Sequence, residues 1–119
     1  MEKTIKLKKN YEFNNTFKRG KYFSGNFIEC FYIKNNRNIN YFGIAISSKI
    51  CNAVKRNRVK RLIREAYRSL EKSINTGITI VFLLKKKTDV EECSYSKILE
   101  DMKKIFEKIG VISDEKDNN

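Results

Sequence analysis

Apolar residues recur on two different periods along this 119-residue chain, and the switches between them sketch its elements. The longest signal lies between Asn52 and Ile74. Val59, Leu62, Ile63, Ala66, Tyr67, Leu70 and Ile74 fall on one stripe at helical spacing, which predicts a helix packed on a core, capped by Asn52 and ended before Gly77. A last helix, about Tyr95 to Ile109, puts Ile98, Met102, Ile105, Phe106 and Ile109 on one face and stops at Gly110. Near the start, Asn10 is a cap for a short helix that presents Phe13 and Phe17 at i, i+4 and closes at Gly20 in a left-handed turn. Two runs, Phe27 to Ile33 and Tyr41 to Ser47, are rich in aromatic and β-branched residues and read as strands, with polar Lys34 to Asn40 suiting a hairpin loop between them. Ile78 to Leu84 (ITIVFLL) is almost wholly apolar, the mark of a strand buried on both faces. The order is α-β-β-α-β-α, without repeat, linker or proline. It predicts an α/β chain of the α+β two-layer sandwich kind: one domain over 1–112 and a polar, disordered tail over 113–119.

Charge changes the picture of the long helix. From Lys49 to Arg68 there are eight basic residues and one acid, Glu65. The cations collect on the side away from the apolar stripe, as Arg58, Lys60, Arg61, Arg64 and Arg68 with Asn57 among them. Solvated helix faces usually mix signs, so a face this one-sided predicts contact with a polyanion, nucleic acid first. The whole chain carries a formal net charge of +12, which repels itself in a compact state and favours an anionic partner. No run approaches a membrane span or a secretory signal, so a cytoplasmic location is expected.

Candidate chemistry is sparse. The chain has no histidine, which removes the commonest general base and metal ligand. Its three cysteines, Cys30, Cys51 and Cys93, are widely spaced and form no C-x-x-C pair, so they read as reduced thiols in ordinary positions. Asp89, Glu91 and Glu92 cluster before the last helix, where a solvated loop is the simpler reading than a Mg²⁺ site. The glycines are scattered singly and make no phosphate cradle. These residues describe a binder whose chemistry is supplied by something else.

The stretch Ser47 to Tyr67, SSKICNAVKRNRVKRLIREAY, resembles the signature of the protein subunit of bacterial ribonuclease P, an R-N-R-x-K-R-x-x-R pattern after an A-V dipeptide. Arg56, Asn57, Arg58, Lys60, Arg61 and Arg64 match it. Leu7-Lys8-Lys9-Asn10 followed by Phe13, Phe17 and Gly20 is similar to the family's first helix, so the resemblance spans essentially the whole chain. It implies a ribonucleoprotein endonuclease that removes the 5′ leader from precursor tRNA, in which an RNA subunit catalyses with bound Mg²⁺ and the protein holds no metal of its own. It implies two partners for the chain, the catalytic RNA and precursor tRNA with its single-stranded leader, and requires no protein partner. The basic helix, Arg56 to Arg68, would face the catalytic RNA. A cleft would take the leader, lined by Phe13 and Phe17, by Ile28 and Cys30 on a strand, and by the cations Lys60 and Arg64. Two positions depart from the pattern: Cys51 stands where glycine is usual, and Cys30 where a strand tyrosine is common, with Tyr32 two residues on and on the same face. The resemblance also implies a mixed sheet with a left-handed βαβ crossover, although about 98% of such crossovers are right-handed.

From periodicity alone Phe13 and Phe17 are core residues, and only the resemblance makes them a cleft lining. The alternative of a structural RNA-binding protein in a ribosome-like particle shares the charge but has no use for an aromatic cleft. A peripheral membrane helix is disfavoured, because the apolar stripe is needed for the core and lacks tryptophan and phenylalanine.

Overall fold

The computed structural model describes residues 3–112; the expected tail at 113–119 lies outside them. The order is β1 (Thr4–Lys6), α1 (Asn10–Arg19), β2 (Lys21–Ser24), β3 (Ile28–Lys34), β4 (Asn40–Ala45), α2 (Ala53–Leu70), β5 (Ile78–Leu84) and α3 (Tyr95–Ile109), with short 3-10 turns at Glu71–Ser73 and Val90–Glu92. Helices α2 and α3 and strand β5 form where the periodicities predict them. Asn52 caps α2 by accepting from Lys55 N–H at 3.0 Å, Ser94 caps α3, and Gly110 ends it in the left-handed region at φ 81°.

One sheet carries all five strands in the order β1-β4-β5-β3-β2. Its centre is β5, antiparallel to β3 and parallel to β4. The almost wholly apolar run thus takes the position with a neighbour on each side and helices on both faces. Two features depart from the expected order. Strands β1 and β2 are additional short edge strands, too brief and too polar to show a period. And β3 and β4 are not a hairpin: residues 35–39 join strands that lie on either side of β5.

Side-chain alternation divides the sheet into two faces. Ile28, Cys30, Tyr32, Phe42, Ile80 and Phe82 point to one, where α2 and α3 bury them. There the Phe42 ring stacks on Tyr67 at 4.3 Å between centroids, and Phe82 meets Phe106 edge-on at 6.0 Å. The stripe of α2 supplies Val59, Ile63, Ala66, Tyr67 and Leu70, all buried, with Leu62 at its margin. Buried polar groups are paired: the Tyr67 hydroxyl meets Thr4 Oγ1 at 2.7 Å, and Asn40 accepts from Ile78 N–H at 3.1 Å. Asp101 on α3 accepts from three successive backbone N–H groups, those of Asn26, Phe27 and Ile28, at 2.6 to 2.9 Å, and so fixes the β2–β3 turn to the helix.

The hand of the β4-α2-β5 crossover follows from residue chirality. In a strand of L-residues running upward, a residue whose side chain faces the viewer has its own N–H and C=O pointing right. Seen from the α2 side, Phe42 faces the viewer, and its carbonyl accepts from Leu7 N–H, next to β1, at 2.9 Å. Strand β1 therefore lies to the right of β4 and β5 to its left, so the chain crosses in front of the sheet through α2 and returns on the left. The crossover is left-handed. Ile28 gives the same answer through its carbonyl, which accepts from Gly25 N–H beside β2.

Helix α1 covers the opposite face. Its N-cap is Lys9 rather than Asn10, and the Glu12 carboxylate reaches back to accept from Lys9 N–H at 3.1 Å. Gly20 ends it in extended backbone, φ −78° and ψ 160°, not in a left-handed cap. The glycine is required there by close approach, since a Cβ would come within 3.0 Å of the Tyr32 carbonyl oxygen and nearer still to that of Thr16.

Candidate RNA-binding surfaces

The residues predicted to bind RNA divide between the two faces of the sheet. Arg56, Asn57, Arg58, Lys60, Arg61, Arg64 and Arg68 all lie on α2, at or near the surface because the stripe opposite them is pinned to the core. Two are tied down. Arg56 Nη1 donates to the Cys51 carbonyl at 2.8 Å. Arg58 Nη1 and Nη2 donate to the carbonyls of Val90 and Cys93 at 3.2 and 2.6 Å, clamping α2 to the turn before α3. Beside them Lys55 pairs with Glu91 at 2.8 Å, which holds that carboxyl below its ordinary range, though both groups are solvated and the pair adds little to stability. Among the described residues the ion pairs are this one and Lys104–Glu100, so Lys60, Arg61, Arg64 and Arg68 have no carboxylate partner.

On the other face, α1 lies across the strands and divides the surface into three rows. Phe31, Val81 and Gly43 form the middle row by register. It is covered by α1: Phe17 meets Phe31 edge-on at 5.4 Å, and a Cβ on Gly43 would stand 2.6 Å from the Phe13 ring. Phe13 and Phe17 are half-buried, neither closed into the core nor free. Glu29, Leu83 and Ala45 form the row on one side, toward the end of β5 and the lysines Lys85, Lys86 and Lys87. Ile33, Thr79 and Tyr41 form the row on the other.

This register corrects the predicted strand contribution by one residue. Ile28 and Cys30 have no exposed surface, and Tyr32 is buried beside them. All three belong to the α2 and α3 face, so they line no cleft with Phe13 and Phe17. Glu29 and Phe31 take that place, Phe31 also touching the Tyr22 ring at 5.3 Å while the Tyr22 hydroxyl bonds to Glu29. Lys60 and Arg64 likewise sit on the far side of the sheet from α1. The lysine run 85–87 is plain in the sequence as a charge run, but only the fold shows what it lies beside. Lys85 Nζ donates to the Gly25 carbonyl at 3.0 Å, which seats the run at the end of the row that holds Glu29.

The three cysteines are free thiols. Burial pushes Cys30 up to about 12, and burial also raises Cys93. Among the described residues no three acids, cysteines or histidines gather as a metal cage, and no helix is long and apolar enough to cross a membrane.

The chain is similar to known proteins over most of its length. A family model described as Ribonuclease P matches residues 1–110. The chain is 36% identical over 106 residues to the ribonuclease P protein component of a Thermoanaerobacter species, covering 89% of this chain and 90% of that one. It is also 36% identical over 110 residues to that of Clostridium botulinum, covering 92% and 97%. The RNase P protein of Thermotoga maritima superposes with a TM-score of 0.79 at 25% identity over 87% of this chain and 96% of that one. The fold is likewise that of the Staphylococcus aureus RNase P protein, with a TM-score of 0.78 at 23% identity over 91% and 97%. With its R-N-R helix, its α1 aromatics and its left-handed crossover, the chain belongs to the ribonuclease P protein family.

Proposed function

We propose that the chain acts inside a ribonuclease P particle by binding the catalytic RNA subunit through α2 and the single-stranded 5′ leader of precursor tRNA through the groove that α1 forms with Glu29, Leu83 and Ala45. The observation that carries this reading is the pairing of two surfaces of different chemistry. One is a row of cations without carboxylate partners on a rigid helix. The other is a shallow groove edged by Phe13, Phe17 and Phe31 and ended by three lysines. The first suits phosphates of a folded RNA, which are gripped by charge. The second suits a single strand, held by stacking and charge with little demand on sequence. A leader differs from one tRNA to the next, so tolerant recognition is what the task needs.

The corrected leader set is Phe13, Phe17, Phe31 and Lys85 to Lys87. Lys60 and Arg64 join Arg61 and Arg68 on the surface for the RNA subunit. Chemistry then belongs to the RNA and its Mg²⁺, and the chain supplies position and fixed positive charge. Backbone charges crowd at the cleavage site, and fixed cations nearby offset part of the repulsion that free Mg²⁺ must otherwise screen.

The test is reconstitution of the full chain with a bacterial ribonuclease P RNA. Half-maximal cleavage of precursor tRNA should need less Mg²⁺ with the chain than without it, and the chain alone should cut nothing. An unchanged Mg²⁺ requirement, or site-specific cutting by RNA-free protein, would sink the reading.

A further inference from the structure

The row on the other side of α1 forms a second groove. Its floor is Ile33, Thr79 and Tyr41, and its volume is about 950 Å³. Four cations line it, Lys18 and Arg19 from α1 and Lys34 and Arg37 from the far end of β3 and the loop after it, against one acid, Glu12. Glu12 is already committed to the start of α1, where it accepts from Lys9 N–H. None of the four cations has a carboxylate partner among the described residues.

Two tyrosines complete the surface. Tyr11 is 66% exposed at the groove's rim, with Lys9 Nζ 5.8 Å from its ring centroid. Tyr41 lies on the floor, and Arg37 is held over it, with its guanidinium carbon 6.0 Å from the ring centroid and Nη1 donating to the hydroxyl at 3.2 Å. The loop that carries Arg37 is itself fixed. Asn35 accepts from Arg37 N–H at 2.8 Å and donates to the Ile39 carbonyl and to Thr79 Oγ1, while Asn36 adopts φ 60°. A charged groove with aromatic rings at its rim and floor, cations beside them, on a rigid frame is the arrangement that holds single-stranded nucleic acid.

We propose that this groove is a second single-strand site, which holds a few nucleotides of RNA by phosphate contacts to Lys18, Arg19, Lys34 and Arg37 and by stacking on Tyr11 and Tyr41. It lies at the opposite end of the sheet from Lys85 to Lys87, and α1 stands between the two grooves, so it takes a different segment of RNA from the one assigned to the leader groove. The inference rests on the chain being an RNA binder and not on the leader assignment.

The probe is a hexauridylate oligoribonucleotide carrying a photoreactive uridine, bound to the full chain alone and to the chain already assembled with its RNA subunit. Crosslinks to Tyr11 or Tyr41 are expected in both. Replacing Lys18 and Arg37 together by Glu should abolish those crosslinks, leave the ones near Phe17 and Phe31 in place, and flatten the salt dependence of oligonucleotide binding by a slope of roughly 1.4, for two phosphates no longer neutralised. Tyr11→Ala should weaken binding at this groove by roughly 5- to 150-fold. Melting of both variants should match the parent, since all three side chains are exposed. Crosslinks confined to the Phe17 side and α2, an unchanged salt slope, or equal competition by duplex RNA of the same length would overturn the proposal. Loss of leader-dependent cleavage in Phe17→Ala is read separately, so the two grooves fail independently.

Discussion

Arg58 and Arg61 stand three residues apart in the same motif, yet their surroundings give them different tasks. The Arg58 guanidinium holds two backbone carbonyls of the turn before α3, whereas the Arg61 guanidinium, on an equally exposed residue, makes no hydrogen bond among the described residues. Arg58→Ala should therefore cost about 1.5–3 kcal/mol of folding free energy, the range for hydrogen bonds made by a charged group. Arg61→Ala should change stability by less than about 0.5 kcal/mol. Urea unfolding of each variant, set beside affinity for the RNA subunit, checks this. A stability loss in Arg61→Ala, or none in Arg58→Ala, would reverse the assignment.

Cys30 gives a pH dependence whose sign is fixed by burial. Its thiol is raised from an ordinary 9.0 to about 12, so the folded chain holds that proton more tightly than the unfolded chain does. The resulting stability is complete below pH 9 and is lost as pH climbs from 9 toward 12. Cys30→Val should lose less stability between about pH 8 and about pH 10.5 than the parent chain, measured by urea unfolding. A maleimide should label half-buried Cys51 well before Cys30 or Cys93 in the folded state.

Helix α1 is an element whose placement depends on a missing side chain under it. Gly43 lets the Phe13 ring lie against β4, and a methyl group there would press on ring carbons at 2.6 and 2.8 Å. Gly43→Ala should lift α1 and cost about 1–3 kcal/mol. It should weaken binding of precursor tRNA more than binding of mature tRNA, which lacks the leader. Equal weakening for both RNAs would mean that only folding was affected.

The elements are legible in proportion to their length and contrast. The stripes of α2 and α3 run for four turns or more, and both helices lie where their periodicity puts them. The face of β3 is not legible, because both of its alternating sets are apolar: Ile28, Cys30 and Tyr32 on one side, Phe31 and Ile33 on the other. The pairing of β3 with β5, seen only in the structure, decides which set meets α1. Lys21 to Ser24 carries no strand signal because an edge strand with two exposed and two half-buried residues has no fully buried side to mark it.

For the whole molecule, the motif resemblance carries the family and the left-handed crossover, where general topology argues for the other hand. The hairpin expectation fails at the same scale. Polar residues 35–39 are a suitable turn, but a strand as apolar as β5 gains most between two others, and it separates β3 from β4. Charge is the other whole-molecule property. Replacing Arg61, Arg64 and Arg68 together by Ala should reduce the salt slope of assembly with the RNA subunit by roughly 2, about 0.7 for each phosphate no longer neutralised. A slope equal to the parent's would make this face a merely solvated one.

A nascent chain that has left the ribosome only as far as Gly77 holds β3 and β4 without the strand that joins them. Both present open edges, and their apolar residues have no sheet to enter until Ile78 to Leu84 follow. At about 5–20 residues per second that interval is roughly 2–8 s from the end of β4. During it α2 is already synthesised, with its apolar stripe uncovered beside a strongly cationic face. A release-arrested fragment ending at Gly77 should be protease-sensitive and prone to aggregate, while one that includes α3 should be protected. The strand that organises the sheet is thus among the last to be made, and its arrival sets when the protein acquires a fold.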